Sequence, residues 1–473
     1  MDKLKKQIEE IFDENFDLKN KTFEPEFWKK YLTHKPFQYS ILEQYNGRGI
    51  NTIKSLDTLE IASNKSISLT LMFGINIALF LEPLQKFGSD EIKAEVLSNF
   101  LTNKNLGGLM ISEPDYGTDA LNMQTTFERV GDEVKISGVK HWQGLTGQAD
   151  YWIVAGRFKD NNKLSKEVSF CIVPQKDVQY ELYDTQGLSL IQYGRNTINA
   201  TVPKTNLLTN EDPTQNILQD TLNRSRMQFS GMALGYIKRT LKEVEKLTAS
   251  RKIRNRSLNT NKSVQFYLIT LQVNSTIAQA CFEYAKKHSG IEKNLTNSTI
   301  MANVIKMTVS ELMRSSSEIH IQLSGGNSFL SNHFGFNNYI DARPFLIFEG
   351  PNDMLLMQIA RLIVLDMRKS SKKELSSFIK NTVFSSLDIE WDVHTEVEYF
   401  HDIDTNRISD IQYLMTLGKV IRCIAQLHLL NYIKAEDYLL QQTRIYLNNE
   451  LNNLDFQLNN QAKLEKYQST PWT

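Results

Sequence analysis

One carboxylate in this 473-residue chain is set up to take a proton. Glu349 follows the apolar run Leu346-Ile347-Phe348. An apolar surround disfavours the charged form and raises a carboxylate's pKa. A base poised near neutral pH is made in this way. Gly350 comes next, so the backbone there can bend sharply or let a ligand approach closely. Upstream, Ile321-Gln322-Leu323-Ser324-Gly325-Gly326-Asn327 offers a second place for close backbone approach. Taken alone, the spacing better suits a turn-flanked buried glutamate beside a Gly-Gly loop.

Longer stretches narrow the choice. Gln322-Leu323-Ser324-Gly325-Gly326-Asn327-Ser328, Asp341-Ala342-Arg343 and Ile347-Phe348-Glu349-Gly350 resemble the C-terminal signature of the acyl-CoA dehydrogenase family. That signature reads Gln-x-x-Gly-Gly-x-Gly, then Arg-Asp-Ala, then Ile-Tyr-Glu-Gly-Thr. Order and gaps agree, while Ser328 replaces the third glycine, Ile340 the arginine and Pro351 the threonine. The family oxidises an acyl thioester to the α,β-enoyl thioester with FAD. The resemblance implies that Glu349 takes the α-proton while the β-hydrogen leaves as hydride to flavin N5. It also implies cofactor contacts from Gln322, Gly325, Gly326, Asn352 and Asp353, and a substrate contact from Gly350.

Two further segments resemble the family's flavin loops. Met110-Ile111-Ser112-Glu113-Pro114-Asp115-Tyr116-Gly117-Thr118-Asp119 is similar to Thr-Glu-Pro-x-x-Gly-Ser-Asp. This implies that Met110, Ile111, Ser112 and Thr118 bind the cofactor, with Thr118 also facing the substrate's pantetheine arm. Ser137-Gly138-Val139-Lys140-His141-Trp142-Gln143-Gly144 is similar to Asn-Gly-x-Lys-x-Trp-Ile-Thr. Trp142 would then pack by the isoalloxazine. Gly144 stands where the family has a threonine that bonds the flavin edge, so an N–H remains and the hydroxyl is gone. Farther on, Arg224-Ser225-Arg226, Ala233-Leu234-Gly235 and Arg251-Lys252 resemble the family's Arg, Ala-x-Gly and Arg-Lys marks. Asn223 and Arg226 are implied in substrate binding. Ser225 fills the slot where some relatives carry their base, which leaves that role to Glu349. Arg251 matches an arginine that meets the FAD diphosphate across a subunit interface, although Ile253, Arg254 and Asn255 replace the residues that usually follow.

Such groups must be positioned by more than one kind of element. Residues 1–105 read as helical: Leu4, Ile8, Ile11 and Phe12 recur at helical spacing, and Tyr45-Asn46-Gly47-Arg48-Gly49 is a turn. An uncharged apolar run from Ser66 to Leu81 suits a buried helix that stops near Pro83; it is too short and polar to span a bilayer. Helix restarts after Gly88-Ser89-Asp90, which can cap Glu91 to Leu101. Over 106–212 the pattern turns to short strands, with Val134, Ile136 and Val139, then Tyr151 to Ala155, then Val168 to Val173. Helical spacing returns from Asn216 to Ser250, and continues in segments beginning at Ser263 and Thr296. Helix, then strand, then helix argues for segregated domains in an α+β protein: an N-terminal helical domain (1–105), a middle β-barrel or sandwich (106–212), a C-terminal four-helix bundle (213–368) and an extra helical extension (369–473). In the extension Leu414, Leu417, Val420 and Ile421 share one face.

Bulk composition sets the outer limits. Hydrophobic residues make up 41% and charged residues 23%, as in soluble globular proteins. Lys plus Arg and Asp plus Glu both number 54, so no global positive field points to nucleic acid. Cys171, Cys281 and Cys423 show no pairing or metal spacing, and Met1 to Glu14 is charged throughout, which suits a reducing cytoplasm and no signal peptide. The expected partners are an acyl-CoA or acyl-carrier-protein substrate, an electron acceptor such as an electron-transfer flavoprotein, and further copies of the chain. Two other readings stay open: an acyl-thioester oxidase, and a non-catalytic scaffold derived from the family.

Overall fold

The computed structural model describes residues 6, 32–161, 163–370, 374–383 and 403–460. The helix expected around Leu4 to Phe12 and the joint at 371–373 lie outside them. The chain divides into two compact units, Met1–Glu349 and Gly350–Thr473.

The first unit opens with helices. Helix α1 (Thr52–Lys65) is capped by Asn51, whose side chain accepts from Lys54 N–H. Helix α2 (Ile67–Asn76) is buried along its whole length. It does not stop near Pro83. The helix passes through a π-turn at Ile77–Leu81, where Glu82 N–H bonds Ile77 O, into α3 (Glu82–Phe87). Proline lacks an N–H and its ring crowds the carbonyl four residues back; the wider π-turn directly before Pro83 accommodates both defects. The run Ile67–Phe87 is long and apolar enough to cross a membrane by length and composition, yet 94% of its window is buried inside the protein. Helix α4 (Asp90–Leu97) starts at the expected cap, with Ser89 Oγ accepting from Ile92 N–H, and ends four residues before Leu101.

Nine strands form one branched sheet. They are β1 (Gly107–Met110), β2 (Thr126–Val130), β3 (Glu133–Gly144), β4 (Tyr151–Asp160), β5 (Lys163–Leu164), β6 (Ser169–Pro174), β7 (Val178–Leu182), β8 (Tyr193–Pro203) and β9 (Leu207–Leu208). β4 is the branch point: its first half pairs β1 in parallel and β6 antiparallel, and its second half pairs β2 and β5. β3 and β8 form the longest ladder, from Glu133↔Pro203 to Gly144↔Tyr193, interrupted by a bulge between His141 and Gln143. Gly107 and Gly108 let β1 run between Phe80 and Trp152: an added Cβ would lie 2.1 Å and 2.5 Å from those rings. In this way the buried helix locks onto the sheet.

Three long helices follow in the same unit, α5 (Ile217–Ser250), α6 (Lys262–His288) and α7 (Thr299–Ser324), and a short helix at Phe334–Ala342 comes after them. α5 packs on α1, α6 and α7. The second unit holds α8 (Asn352–Ser370), α9 (Leu375–Thr382), α10 (Ile411–Leu429) and α11 (Asp437–Asn459). Leu414, Leu417, Val420 and Ile421 are all buried, as their spacing requires. α10 packs on α8 and α11, and Gly418 permits the close crossing, since a Cβ there would lie 2.5 Å from Leu356 O. The chain is thus mixed α+β, with N-terminal helices, a middle β-sheet domain and a C-terminal helical region.

Candidate active site

Glu349 adopts φ +56°, the left-handed region. For a residue with a Cβ this costs about 1–3 kcal/mol and persists only where neighbours enforce it. Here Arg226 of α5 does so. Its Nε and Nη2 donate to the Glu349 carbonyl at 3.1 and 2.7 Å, while Nη1 donates to Asn303 of α7 at 2.9 Å. The guanidinium thus ties the turn to two helices, and the carboxylate reaches Ser225, whose Oγ donates to Oε1. Its other oxygen, Oε2, is buried with no hydrogen-bond partner. The residue is half-buried as a whole, but its reactive end is out of water. Burial pushes the Glu349 carboxyl up to about 7, against the hydrogen bond from Ser225 and the charges of Arg226 and Lys306, which pull it down. Lys306 of α7 is fully buried and moves the opposite way, down to about 7, because burial disfavours its ammonium despite the nearby Glu349. Phe345 and Phe348 flank the turn with ring centroids 5.9 Å apart.

A second set of residues converges at the ends of β1 and β3. Met110 ends β1, buried. Ile111 O accepts from Lys140 Nζ at 2.9 Å, and Ser112 O accepts from His141 N–H at 3.0 Å and Gln143 Nε2 at 3.3 Å. Lys140 also bonds Glu113 Oε1 at 2.9 Å, and Glu113 further accepts from Gln124 N–H, Thr125 N–H and Thr125 Oγ1. Burial works to raise the Glu113 carboxyl, but the Lys140 charge and these bonds outweigh it and hold the group below its usual range. The ion pair therefore pins both ends of the loop that carries Thr118, which is exposed. Trp142 occupies the β3 bulge at φ +62° and is 55% exposed, its ring 4.8 Å from that of Tyr183. Bulges re-aim side chains beside functional sites. Gly144 is hemmed in: a Cβ would lie 2.8 Å from Ile75 Cδ1 and 3.2 Å from Ile191 Cγ2.

Arg251, Gln322, Gly325 and Gly326 form a separate cluster. Arg251 caps α5 and its Nη1 donates to Leu323 O at 3.1 Å, while Gly325, at φ +58°, donates its N–H to Gln322 O. Arg251 follows Ser225 by the length of most of α5, about 40 Å at 1.5 Å per residue. One chain therefore does not bring this cluster to Glu349. Asn223 is buried, and its amide donates to Leu295 O at 2.8 Å and Thr299 Oγ1 at 3.2 Å. Gly350, at φ +105°, opens the second unit. Asn352 and Asp353 start α8, where Asp353 places an acid in the first turn.

The residues around Glu349 were only partly foreseeable. Ser225 stands in the slot where the resemblance expects some relatives' base, and the structure gives it a hydrogen bond to Glu349. Lys306 carries one signal, a lone cation among the mostly apolar residues Met301 to Val309. Asn303 and Tyr193 carry no signal of their own.

A glutamate pushed up to about 7 by burial thus lies in a chain of N-terminal helices, a middle sheet and C-terminal helices. Comparison with known proteins gives the family. Residues 2–104, 108–195 and 215–364 match the models for the N-terminal, middle and C-terminal domains of acyl-CoA dehydrogenases. The chain belongs to the acyl-CoA dehydrogenase family, oxidoreductases acting on CH–CH donors with FAD as cofactor. The chain is 26% identical over 323 residues to the short-chain specific acyl-CoA dehydrogenase of Rattus norvegicus mitochondria, covering 67% of this chain and 77% of that protein. Its fold is similar to butyryl-CoA dehydrogenase from Megasphaera elsdenii, with TM-score 0.69, 20% identity and coverage of 77% and 97%. It is also similar to an FAD-complexed acyl-CoA dehydrogenase from Bacillus anthracis, with TM-score 0.78, 16% identity and coverage of 97% and 87%. That last match takes in most of the stretch after residue 368.

Proposed function

We propose that this protein catalyses FAD-dependent α,β-dehydrogenation of an acyl thioester, carried on CoA or an acyl-carrier protein, with Glu349 as the α-proton base. The observation that carries this reading is the Glu349 carboxylate: buried, raised to about 7, bonded through one oxygen only, with Oε2 buried and unpartnered. An unactivated α C–H is a weak acid, so the thioester carbonyl must be hydrogen-bonded as enolate charge develops; the N–H of Glu349 is the donor assigned here. Arg226 holds the carbonyl of the next peptide, Glu349 O, and so steadies the turn that carries this N–H. When bound, FAD supplies the two-electron acceptor for the β-hydrogen. Met110, Ile111, Ser112, Thr118, Trp142 and Gly144 are the residues that would hold its ring system. The exposed Trp142 face suits a flat ring laid beside β3. Thr118, Asn223, Arg226 and Gly350 are assigned to the substrate. Arg251, Gln322, Gly325 and Gly326, with Asn352 and Asp353, are assigned to cofactor held at a contact between copies of the chain. The division at 105, 212 and 368, a cytoplasmic setting and an electron-transfer flavoprotein as acceptor belong to the same reading.

The test is optical. The purified protein should be yellow and should bleach on anaerobic addition of an acyl thioester. A Glu349→Gln variant should keep its flavin and fail to bleach; normal bleaching by that variant would refute the base assignment. Rapid recolouring in air would point instead to an oxidase.

A further inference from the structure

Trp142 is the extra residue of the β3 bulge. Its neighbours His141 and Gln143 pair with Arg195 and Gly194 of β8, and the ladder passes over Trp142 itself. The backbone on either side of it is tied to the Ile111–Thr125 loop, since His141 N–H and Gln143 Nε2 both donate to Ser112 O. These bonds and the ladder enforce the left-handed φ of +62°. The indole has no such restraint from its own strand. It is 55% exposed, and an exposed side chain moves among staggered rotamers. One ring meets it closely: that of Tyr183, with centroids 4.8 Å apart and planes 55° apart. The His141 ring is farther off, at 6.3 Å. Tyr183 is set in turn by the sheet. It directly follows β7, and its N–H donates to Tyr193 O at 2.8 Å, one step past the Leu182↔Gly194 pair of the β7–β8 ladder. A tilted aromatic pair at this distance attracts beyond its buried area, so Tyr183 restricts an indole that would otherwise turn freely.

We propose that Tyr183 is a positioning residue for the cofactor: its ring holds the Trp142 indole in the orientation against which the flavin ring is laid. This assignment rests on the placing of Trp142 beside the flavin in the functional reading above. Packing of one flat ring on another requires a single orientation of the indole. A side chain immobilised only when the ligand arrives weakens binding by the freedom it loses. Tyr183 removes that freedom beforehand, when the sheet forms. More than half of Trp142 stays exposed with Tyr183 in place, so the contact orients the indole without covering it.

The experiment is a double-mutant cycle on FAD affinity, read by flavin fluorescence quenching as FAD is returned to the stripped full-length protein. Tyr183→Ala should bind FAD about 3- to 10-fold more weakly. Tyr183→Phe keeps the ring and should stay within about twofold of wild type. Trp142→Ala should also weaken binding, and adding Tyr183→Ala to it should change little, because the effect runs through the indole. A second readout needs no flavin. The anisotropy of the Trp142 emission, isolated by subtracting the matching Trp142→Phe protein, should fall in Tyr183→Ala. Unchanged FAD affinity in Tyr183→Ala would overturn the assignment, as would an anisotropy that stays put. Two losses that simply multiply in the double variant would show Tyr183 acting apart from Trp142 and equally overturn it. Equal losses in Tyr183→Phe and Tyr183→Ala would move the effect to the hydroxyl, with the same consequence. If Trp142→Ala binds FAD as wild type does, this assignment falls while the role of Glu349 stands. If wild type takes up no FAD, the functional reading falls with it.

Discussion

At the scale of single residues, the site depends on what surrounds one carboxylate. As the proposed base, Glu349 would have to be ionised to accept a proton, so the rate of flavin bleaching should rise as pH increases through about 7. Ser225 stabilises the ionised form by its hydrogen bond. In Ser225→Ala the base should therefore titrate higher, moving the midpoint up by about one pH unit; rapid-mixing bleaching rates across pH give the shift. A midpoint that stays put would mean the bond adds nothing. Stability follows the same group with opposite consequence. A carboxyl raised from 4.5 to about 7 in the folded state contributes stability that is present below pH 4.5 and lost as pH rises through 7. Glu349→Gln does not suffer that loss. Its urea-unfolding free energy should gain on wild type by about 2–3 kcal/mol between pH 5 and pH 8.

At the scale of elements, the loop from Ile111 to Thr125 is held by a buried pair rather than by a ladder. Lys140 and Glu113 are both out of solvent. Removing one partner strands the other charge, at a cost of about 3–5 kcal/mol. Lys140→Met should lose about that much in urea unfolding, and Lys140→Met with Glu113→Leu should recover part of it. If the single variant lost under about 1 kcal/mol, the pair would not be what pins the loop. Most of these elements could be read in advance. Ser89 caps its helix where side-chain chemistry places a cap, helix α5 begins where helical spacing returns, with Asn216 as its cap, and Val134 and Ile136 alternate inward along β3. Pro83 misled, because a single-residue rule for proline takes no account of a π-turn placed just before it.

At the scale of the whole molecule, the two clusters of site residues lie far apart in one chain. Arg251 and Gly325 sit beyond the far end of α5 from Ser225 and Glu349. If Arg251 serves the cofactor of a neighbouring copy, each active centre draws on two chains. Mixing inactive Arg251→Ala and Glu349→Gln proteins through dissociation and reassembly should then restore about one quarter of wild-type activity per subunit in a dimer. No recovery would show that Arg251 acts within its own chain, or that the protein works alone.

The amino-acid sequence by itself determined the kinds of element and their order, because hydrophobic spacing, caps and turn residues act over a few positions. It also singled out Glu349, whose apolar neighbours adjoin it in the chain. Tertiary structure alone decided the company that glutamate keeps: Ser225 and Arg226 from α5, Asn303 and Lys306 from α7, and Tyr193 stacked against the adjacent Phe348. These groups lie scores of residues away along the chain, and packing of side chains across helices and strands is what sets their burial, their hydrogen bonds and hence their charge.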